Sequence, residues 1–502
     1  MNDLLIIFID YSRENLIFAA EKTWKSYTNR GKTPWKSYIN EDLLPWKSYI
    51  CMIKRKIDTV IEEHFKSSRK ALFLTGARQS GKTYAIRKYA KNNGLNLVEV
   101  NFLLQPDSMA LFKGTRDVKD LLIRLSAYSD VNLEKGKTLV FFDEVQECPD
   151  VMTWVKALVD DGSYKYALSG SLLGVELKDI RSVPVGYMSE YQLFPLDFEE
   201  FVRAVGISDR IIDSIRECWE NHKPVDGFIH DKMMQLFHLY LIVGGMPAAV
   251  QAYIDTNNMQ RVFQEQQDIL TLYKRDISRY DSIQKLYINE IFELIPSELN
   301  AKNKRFILKR LNEHKTFSRH KNDFLWLKDA DMALPTYNVS EPCLPLKLSE
   351  QRNLFKLFQN DVGLLACQYA DGIQLQILQG NVNINYGAIY ENVVAQELHA
   401  HGYPLYYFNS KKQGELDFLL ENDTEIIPVE VKSGKAYERH NALCNVLNTS
   451  EYNINQAFVL CNDNLRVADR IIYLPIYMLM FISKVKSPQA LIYKIDINGL
   501  IS

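Results

Sequence analysis

Gly76-Ala77-Arg78-Gln79-Ser80-Gly81-Lys82-Thr83 fits the pattern G-x-x-x-x-G-K-[ST], and its flanks give the match its meaning. Ala71-Leu72-Phe73-Leu74-Thr75 before it reads as a short buried strand, and Tyr84 to Lys91 after it as a helix. A strand, a glycine loop and a helix N-terminus bring unpaired N–H groups and the positive end of a helix dipole to one place, which suits an anion. Gly76 and Gly81 let the backbone close on phosphate oxygens. Ala77, Arg78, Gln79 and Ser80 line the same loop, Lys82 reaches the β/γ-phosphates, and Thr83 can ligate Mg²⁺. The stretch predicts a nucleotide triphosphate site on an α/β fold.

A chain of 502 residues allows three or four domains. Its net charge of −2 excludes a generally basic nucleic-acid coat, so any DNA contact must come from a local patch. Seven scattered cysteines without a CxxC pair argue against a disulfide framework or zinc site and suit a reducing cytoplasm. The apolar runs Leu4–Ile9 and Ile471–Ile482 are too short to span a bilayer, and Asp3 stands where a signal peptide would carry basic residues. A soluble cytoplasmic protein is expected.

Trp24-Lys25-Ser26-Tyr27 recurs at 35–38 and 46–49, an eleven-residue repeat too short for a solenoid. Residues 1–51 read as an extension outside the folded protein, or else as a docking segment. Met52-Ile53-Lys54-Arg55-Lys56-Ile57 then begins an amphipathic helix leading to the phosphate loop. Strand and helix patterns alternate from 52 to about 205, as a parallel sheet requires. Thr138 to Glu144 is an apolar strand ending in two carboxylates, which places Asp143 near a Thr83-bound Mg²⁺ and Glu144 where it can polarise water. Either acid alone would also serve as a helix cap. Ser169, at the end of a strand from Tyr164 to Leu168, either senses the terminal phosphate or occupies an ordinary turn.

These stretches, with Phe142-Asp143-Glu144-Val145-Gln146, Ser169-Gly170-Ser171, Phe194-Pro195-Leu196-Asp197-Phe198, Val243-Gly244-Gly245-Met246-Pro247 and Lys356 to Leu365, resemble a large family of prokaryotic AAA-type ATPases with a C-terminal domain of uncharacterised function. The resemblance implies ATP rather than GTP, and no Asn-Lys-x-Asp run is present to read guanine. Many members have Gly-Arg where this chain has Gly186-Tyr187, so Arg181, Arg275 and Arg279 become the candidates for an arginine finger. It also implies a helical lid over 206–280 and a winged-helix unit over 281–345. That unit's basic run (Lys302, Lys304, Arg305, Lys309, Arg310, Lys315, Arg319 and Lys321 against Glu313) either neutralises DNA phosphates or forms a solvated face.

The C-terminal region, 346–502, offers a second constellation. Leu416–Leu420 and Ile426–Lys432 read as a hairpin turning at Asp423-Thr424, which sets Asp417 opposite Glu430 and leaves Glu430 and Lys432 on one face. Two carboxylates and a lysine so placed can bind a divalent ion and assist water attack on a phosphodiester. Glu391, in the helical run Gly387–Leu398, is an added ligand. The set Glu391, Asp417, Glu430-Val431-Lys432 looks like the PD-(D/E)XK nuclease pattern, although a cross-strand salt bridge would look the same. The expectation is thus an α/β protein with an AAA-type core over 52–205, a lid, a winged helix and a nuclease-like domain. It either cleaves DNA under ATP control or acts as a nucleotide-gated switch that binds DNA or a protein partner, another copy of itself included. A small-molecule kinase is disfavoured by length and the lack of an acceptor site.

Overall fold

The apolar run that ends at the glycine loop becomes the second strand from one edge of a five-stranded sheet. The computed structural model describes residues 53–171, 186–278, 284–301, 304–306, 317–369, 371–379 and 386–484. Strands β1 (Ala71–Thr75), β2 (Asn96–Asn101), β3 (Thr138–Asp143), β4 (Lys165–Ser169) and β5 (Met188–Gln192) stand in the order β2-β3-β4-β1-β5, all pairs parallel. Helices α1 (Lys56–Ser67), α2 (Lys82–Asn92), α3 (Val118–Tyr128) and α4 (Asp150–Asp161) cover the two faces. Parallel strands buried on both sides read as continuous apolar runs. Phe73, Val98, Val140 and Phe142 face one layer, while Leu72, Leu74, Leu139 and Phe141 meet Ile57 and Ile61 of α1 and Ile86 of α2 on the other. The carboxyl ends of the strands therefore share one edge, where ligands bind in open α/β sheets.

Among the described residues seven helices follow: α5 (Phe198–Ala204), α6 (Asp209–Glu220), α7 (Gly227–Val243), α8 (Pro247–Thr256), α9 (Met259–Ser278), α10 (Gln284–Asn300) and α11 (Phe317–Asp329). Asp197 caps α5, accepting from Glu200 N at 2.8 Å while Glu200 accepts from Asp197 N at 3.3 Å, a capping box. The expected break between α7 and α8 is present, and its glycines sit there because other backbone comes too close for a side chain. A Cβ on Gly245 would lie 2.1 Å from Leu196 O, and one on Gly244, whose φ is +70°, 2.3 Å from an Asp361 carboxylate oxygen. Asp361 itself, fully buried, accepts from Gly245 N at 2.6 Å and from Leu364 N at 3.0 Å.

The C-terminal half is built on β6 (Ala333–Val339), β7 (Glu350–Gln359), α12 (Val362–Cys367), α13 (Asp371–Leu378), α14 (Gly387–Ala400), β8 (Tyr406–Ser410), β9 (Gly414–Asn422), β10 (Glu425–Val431), α15 (Asn441–Leu447), β11 (Ala457–Cys461), β12 (Arg466–Ala468) and β13 (Ile471–Pro475). Its eight strands run β12-β13-β11-β10-β9-β8-β6-β7. The β9–β10 hairpin turns at Asp423-Thr424, as its polar residues predict, with Phe418 opposite Val429. An expected boundary at residue 345 runs through the β6–β7 pair, and β6 also lies parallel beside β8. The separate units expected after residue 205 share one hydrophobic core, from Leu196 through Phe237 and Phe292 to Phe418 and Leu474. Apolar faces on α7, α10 and the second sheet find their cover in one another, which linear domain boundaries do not anticipate.

Arg181, Arg279, Lys302, Lys309, Arg310, Glu313, Lys315 and the 1–51 repeats lie outside the described residues. Among the described residues no helix is long and apolar enough to cross a membrane.

Candidate functional site

The glycine loop closes at the expected edge of the first sheet. Gly81 takes φ +99° and begins α2 without a side-chain cap, so the first N–H groups of the helix remain for a ligand. Lys82 bends back, its Nζ donating to Gly76 O and Ala77 O at 2.9 Å each. Burial lowers the ammonium's pKa from its ordinary value, against the pull of Glu144, Asp331 and Asp143. Ser80 Oγ is buried with no hydrogen-bond partner among the described residues. An open helix end, an orphan hydroxyl and a buried lysine fit the phosphates of a nucleotide. Arg78 points elsewhere, into an ion pair with Asp276 of α9, and Gln79 holds φ +63°.

Asp143 gathers three donors: Thr83 Oγ1 at 3.0 Å, Asn101 Nδ2 at 2.9 Å, and Ser169 Oγ. Burial raises its pKa, while the Ser169 and Thr83 hydroxyls oppose the rise. This places the Ser169 side chain on the carboxylate. Thr83 and Asp143 stand together as a hydroxyl–carboxylate pair of the kind that holds Mg²⁺, and the donor set fits that ion. Glu144 follows with φ +56°, and its Oε2 accepts from Gln146 Nε2 at 2.6 Å and Ser171 Oγ at 3.2 Å. A left-handed backbone at a glutamate is uncommon, and it turns this side chain out of the strand.

Three neighbours of this site were not anticipated. Arg55 lies under the loop, giving Nη1 to Ser80 O at 3.2 Å, Nη2 to Phe194 O at 2.7 Å and Nε to Glu200 at 3.0 Å. Asp331, in the turn before β6, accepts from Gln192 Nε2 at 2.6 Å, and burial pushes its pKa up to about 7 despite Lys82 nearby. It lines a cleft of about 780 Å³ together with Gly76, Gly170 and Tyr403. Asn101 completes the set. Arg275, the described candidate for a finger, is exposed in the last turn of α9.

At the second site the predicted residues converge. Val431 N donates to Asp417 Oδ2 at 2.9 Å, and Lys432 Nζ meets Glu430 Oε1 at 2.6 Å. Glu391 arrives on α14. The residue not foreseen is Lys356 of β7, wholly buried, whose Nζ lies 3.3 Å from Glu391, 2.8 Å from Glu415 and 3.9 Å from Asp417. Lys304 pairs with the other Glu391 oxygen, so part of the basic run turns inward rather than toward a nucleic acid. Burial pushes Asp417 well above its ordinary pKa, with Glu391 and Glu430 adding to it. Against burial, the paired carboxylates raise that of Lys356, and Lys356 and Lys304 hold Glu391 low. Among the described residues no group of three or more histidine, cysteine, aspartate or glutamate side chains is arranged to hold a metal ion. The three carboxylates expected to share one are engaged by ammonium groups instead.

The signal for Lys356 was a lone lysine in the apolar run Leu354-Phe355-Lys356-Leu357-Phe358. A charge at such a position is buried only if paired.

The two sites are joined by α14. Beyond Glu391 it carries Gln396, whose amide meets Val362 N at 2.7 Å and Tyr240 OH at 2.9 Å. It also carries Glu397, which accepts from Phe198 N and Tyr240 OH, both at 2.9 Å.

Residues 68–202 match a family model described as an AAA domain. Residues 234–375 and 386–479 match two domains of unknown function. No curated protein matches. Similar solved structures include a Walker-type ATPase of Pyrococcus abyssi, 14% identical with TM-score 0.37, covering 63% of this chain and 96% of that one. They also include the ORC1 protein of Aeropyrum pernix in complex with DNA (12%, TM-score 0.25, 65% and 91%) and the RuvB Holliday junction branch migration motor of Thermotoga maritima (12%, TM-score 0.27, 56% and 89%).

Proposed function

We propose that this protein binds and hydrolyses ATP at the glycine loop and, in the cytoplasm, acts on DNA through a nuclease-like C-terminal domain whose state follows the nucleotide. The observation that carries the first part is the Thr83–Asp143 contact beside Glu144, on a loop whose helix end is open for phosphates and whose lysine is held by two backbone carbonyls. In this reading Lys82 leaves Gly76 O and Ala77 O for the phosphate oxygens. Thr83 and Asp143 would hold Mg²⁺, which would supply neutralisation of the phosphate charge. Glu144 Oε2, aimed by Gln146 and Ser171, takes the proton of the attacking water. Asp143→Asn is expected to lower phosphate release by about 10²–10³-fold, the usual loss of a group stabilising transition-state charge.

The DNA part is supported by the order of elements α14, β8, β9, β10, α15, β11 and by Asp417 on β9 lying near Glu391 on α14 and Glu430 on β10, with Lys432 just beyond β10 paired to Glu430. The relay we infer runs from the loop through Arg55 and α5 to Glu397, and along α14 to Glu391. A second reading, a nucleotide-gated switch that holds DNA or a protein partner without cutting, is favoured by Lys356 among the carboxylates. Incubating linear, supercoiled and branched DNA with Mg²⁺ or Mn²⁺, with and without ATP, separates the two. Cutting lost in Asp417→Ala supports the nuclease, and its response to Lys82→Ala shows whether ATP controls it. ATP turnover without any cutting leaves the switch. No ATP turnover in the unsubstituted protein refutes both.

A further inference from the structure

The carboxylates of the second site already have their counter-ions. Both Glu391 oxygens are taken, one by Lys304 and the other by Lys356 at 3.3 Å. Both Glu415 oxygens are taken, one by Lys356 at 2.8 Å and the other by Asn409 Nδ2. Asp417 has Val431 N on one oxygen and Lys356 3.9 Å from the other. Glu430 pairs through Oε1 with Lys432, and only its Oε2 is buried without a partner among the described residues. Glu430 Oε2 and Asp417 Oδ1, the latter with an ammonium only at 3.9 Å, are two carboxylate oxygens, far from the six or so oxygen ligands of a hard divalent cation. The ammonium is not a passing neighbour either: Lys356 is fully buried on a central stretch of β7 and stands over the Tyr407 ring, 5.1 Å from its centroid.

We propose that Lys356 stands in for a divalent cation, so that this nuclease-like site is a lysine-neutralised, metal-independent charge cluster. It deepens the nuclease-like reading of the C-terminal domain and favours its non-cleaving form. The four carboxylates Glu391, Glu415, Asp417 and Glu430 face the three ammonium groups of Lys304, Lys356 and Lys432, and burial beside the other acids favours the neutral form of Asp417. A phosphate approaching the partly exposed Lys304 and Lys432 then meets fixed ammonium groups without needing an ion to bridge it. Removing the lysine should leave a hole of suitable charge and thereby create a metal site.

The test uses the full chain without nucleotide, titrated with Mn²⁺ while free ion is followed by electron paramagnetic resonance. The unsubstituted protein and Asp417→Asn are expected to bind the same amount, because the cluster takes none. A stoichiometric Mn²⁺ that Asp417→Asn removes overturns the proposal. Lys356→Gln is expected to gain one Mn²⁺, lost again when Asp417→Asn is added, and to show a melting temperature that rises with Mn²⁺. A folded Lys356→Gln that gains no ion overturns the claim that the lysine fills a cation's place. If that variant does not fold, the first comparison decides alone. ATP turnover and DNA retention are measured separately, so failure of the broader functional reading is distinguishable from failure here.

Discussion

Replacing Arg55 by methionine keeps most of the side-chain volume and removes three interactions at once. The guanidinium is 9% exposed and its partner Glu200 is 5% exposed, so the pair is broken in the interior. Breaking a buried pair by deleting one partner costs about 3–5 kcal/mol, because the surviving charge is left uncompensated. Ser80 O and Phe194 O lose donors as well, but these costs overlap with that figure. A loss of about 4 kcal/mol is a large share of the 5–15 kcal/mol typical of folded domains. The assay is urea denaturation of Arg55→Met, Glu200→Gln and the double variant. Glu200→Gln retains an acceptor for Lys56 N, which Glu200 Oε1 now meets at 2.6 Å. The coupling should make Arg55→Met at least about 1–2 kcal/mol cheaper in the Glu200→Gln background. Burial raises the pKa of Glu200 and Arg55 opposes this, so the variant's carboxyl should titrate higher still. A raised acid pKa means that stability falls as pH climbs above the unfolded value, so the deficit should be smaller at pH 5 than at pH 8. Loss of the Ser80 hydrogen bond, about 1 kcal/mol, should weaken binding of a fluorescent ATP analogue about fivefold. Equal costs for Arg55→Met in both backgrounds would refute this account of the pair.

Asp331→Asn should raise the melting temperature at pH 8 and flatten the stability profile between about pH 4 and 7. With the native pKa near 7 and the ordinary value 3.8, the unfolded chain releases its proton first and gains across that window. An unchanged profile in calorimetry at several pH values would show that the surroundings of half-buried Asp331 do not raise its carboxyl. Gly245→Ala forces a Cβ to 2.1 Å from Leu196 O and should cost about 3 kcal/mol. Its melting temperature is the readout, and a variant as stable as its parent would mean that the two backbone segments are not in contact.

Much of the first site was legible because its chemistry is local. Gly76 to Thr83 are contiguous, and Asp143-Glu144 end an apolar strand, β3, that stands one strand away from β1. The hairpin was legible for the same reason: its polar turn fixes the register, and the register places Asp417 and Glu430. Contacts between distant segments were hidden. Nothing local joins Lys356 to Glu391, Asp331 to the glycine loop, or Arg55 to Glu200. Each pairing depends on elements brought together by a shared core. The expected border at residue 345 falls between β6 and β7, which pair across it, and strand pairing leaves no mark in composition. The expected metal trio missed Lys356 because a pattern of three acids does not count the cations that fold in from elsewhere.

The place of β6 between β8 and β7 has a practical bearing on how this protein can be divided. A fragment starting at residue 346 would lose β6, uncovering the side of β8 that it occupies and leaving β7 without its neighbour. An uncovered strand edge is a template for pairing with other chains. Such a fragment should therefore gather into insoluble aggregates. Evolution faces the same difficulty as the experimenter: the C-terminal half cannot be inherited as a freely shuffled cassette unless the segment carrying β6 travels with it.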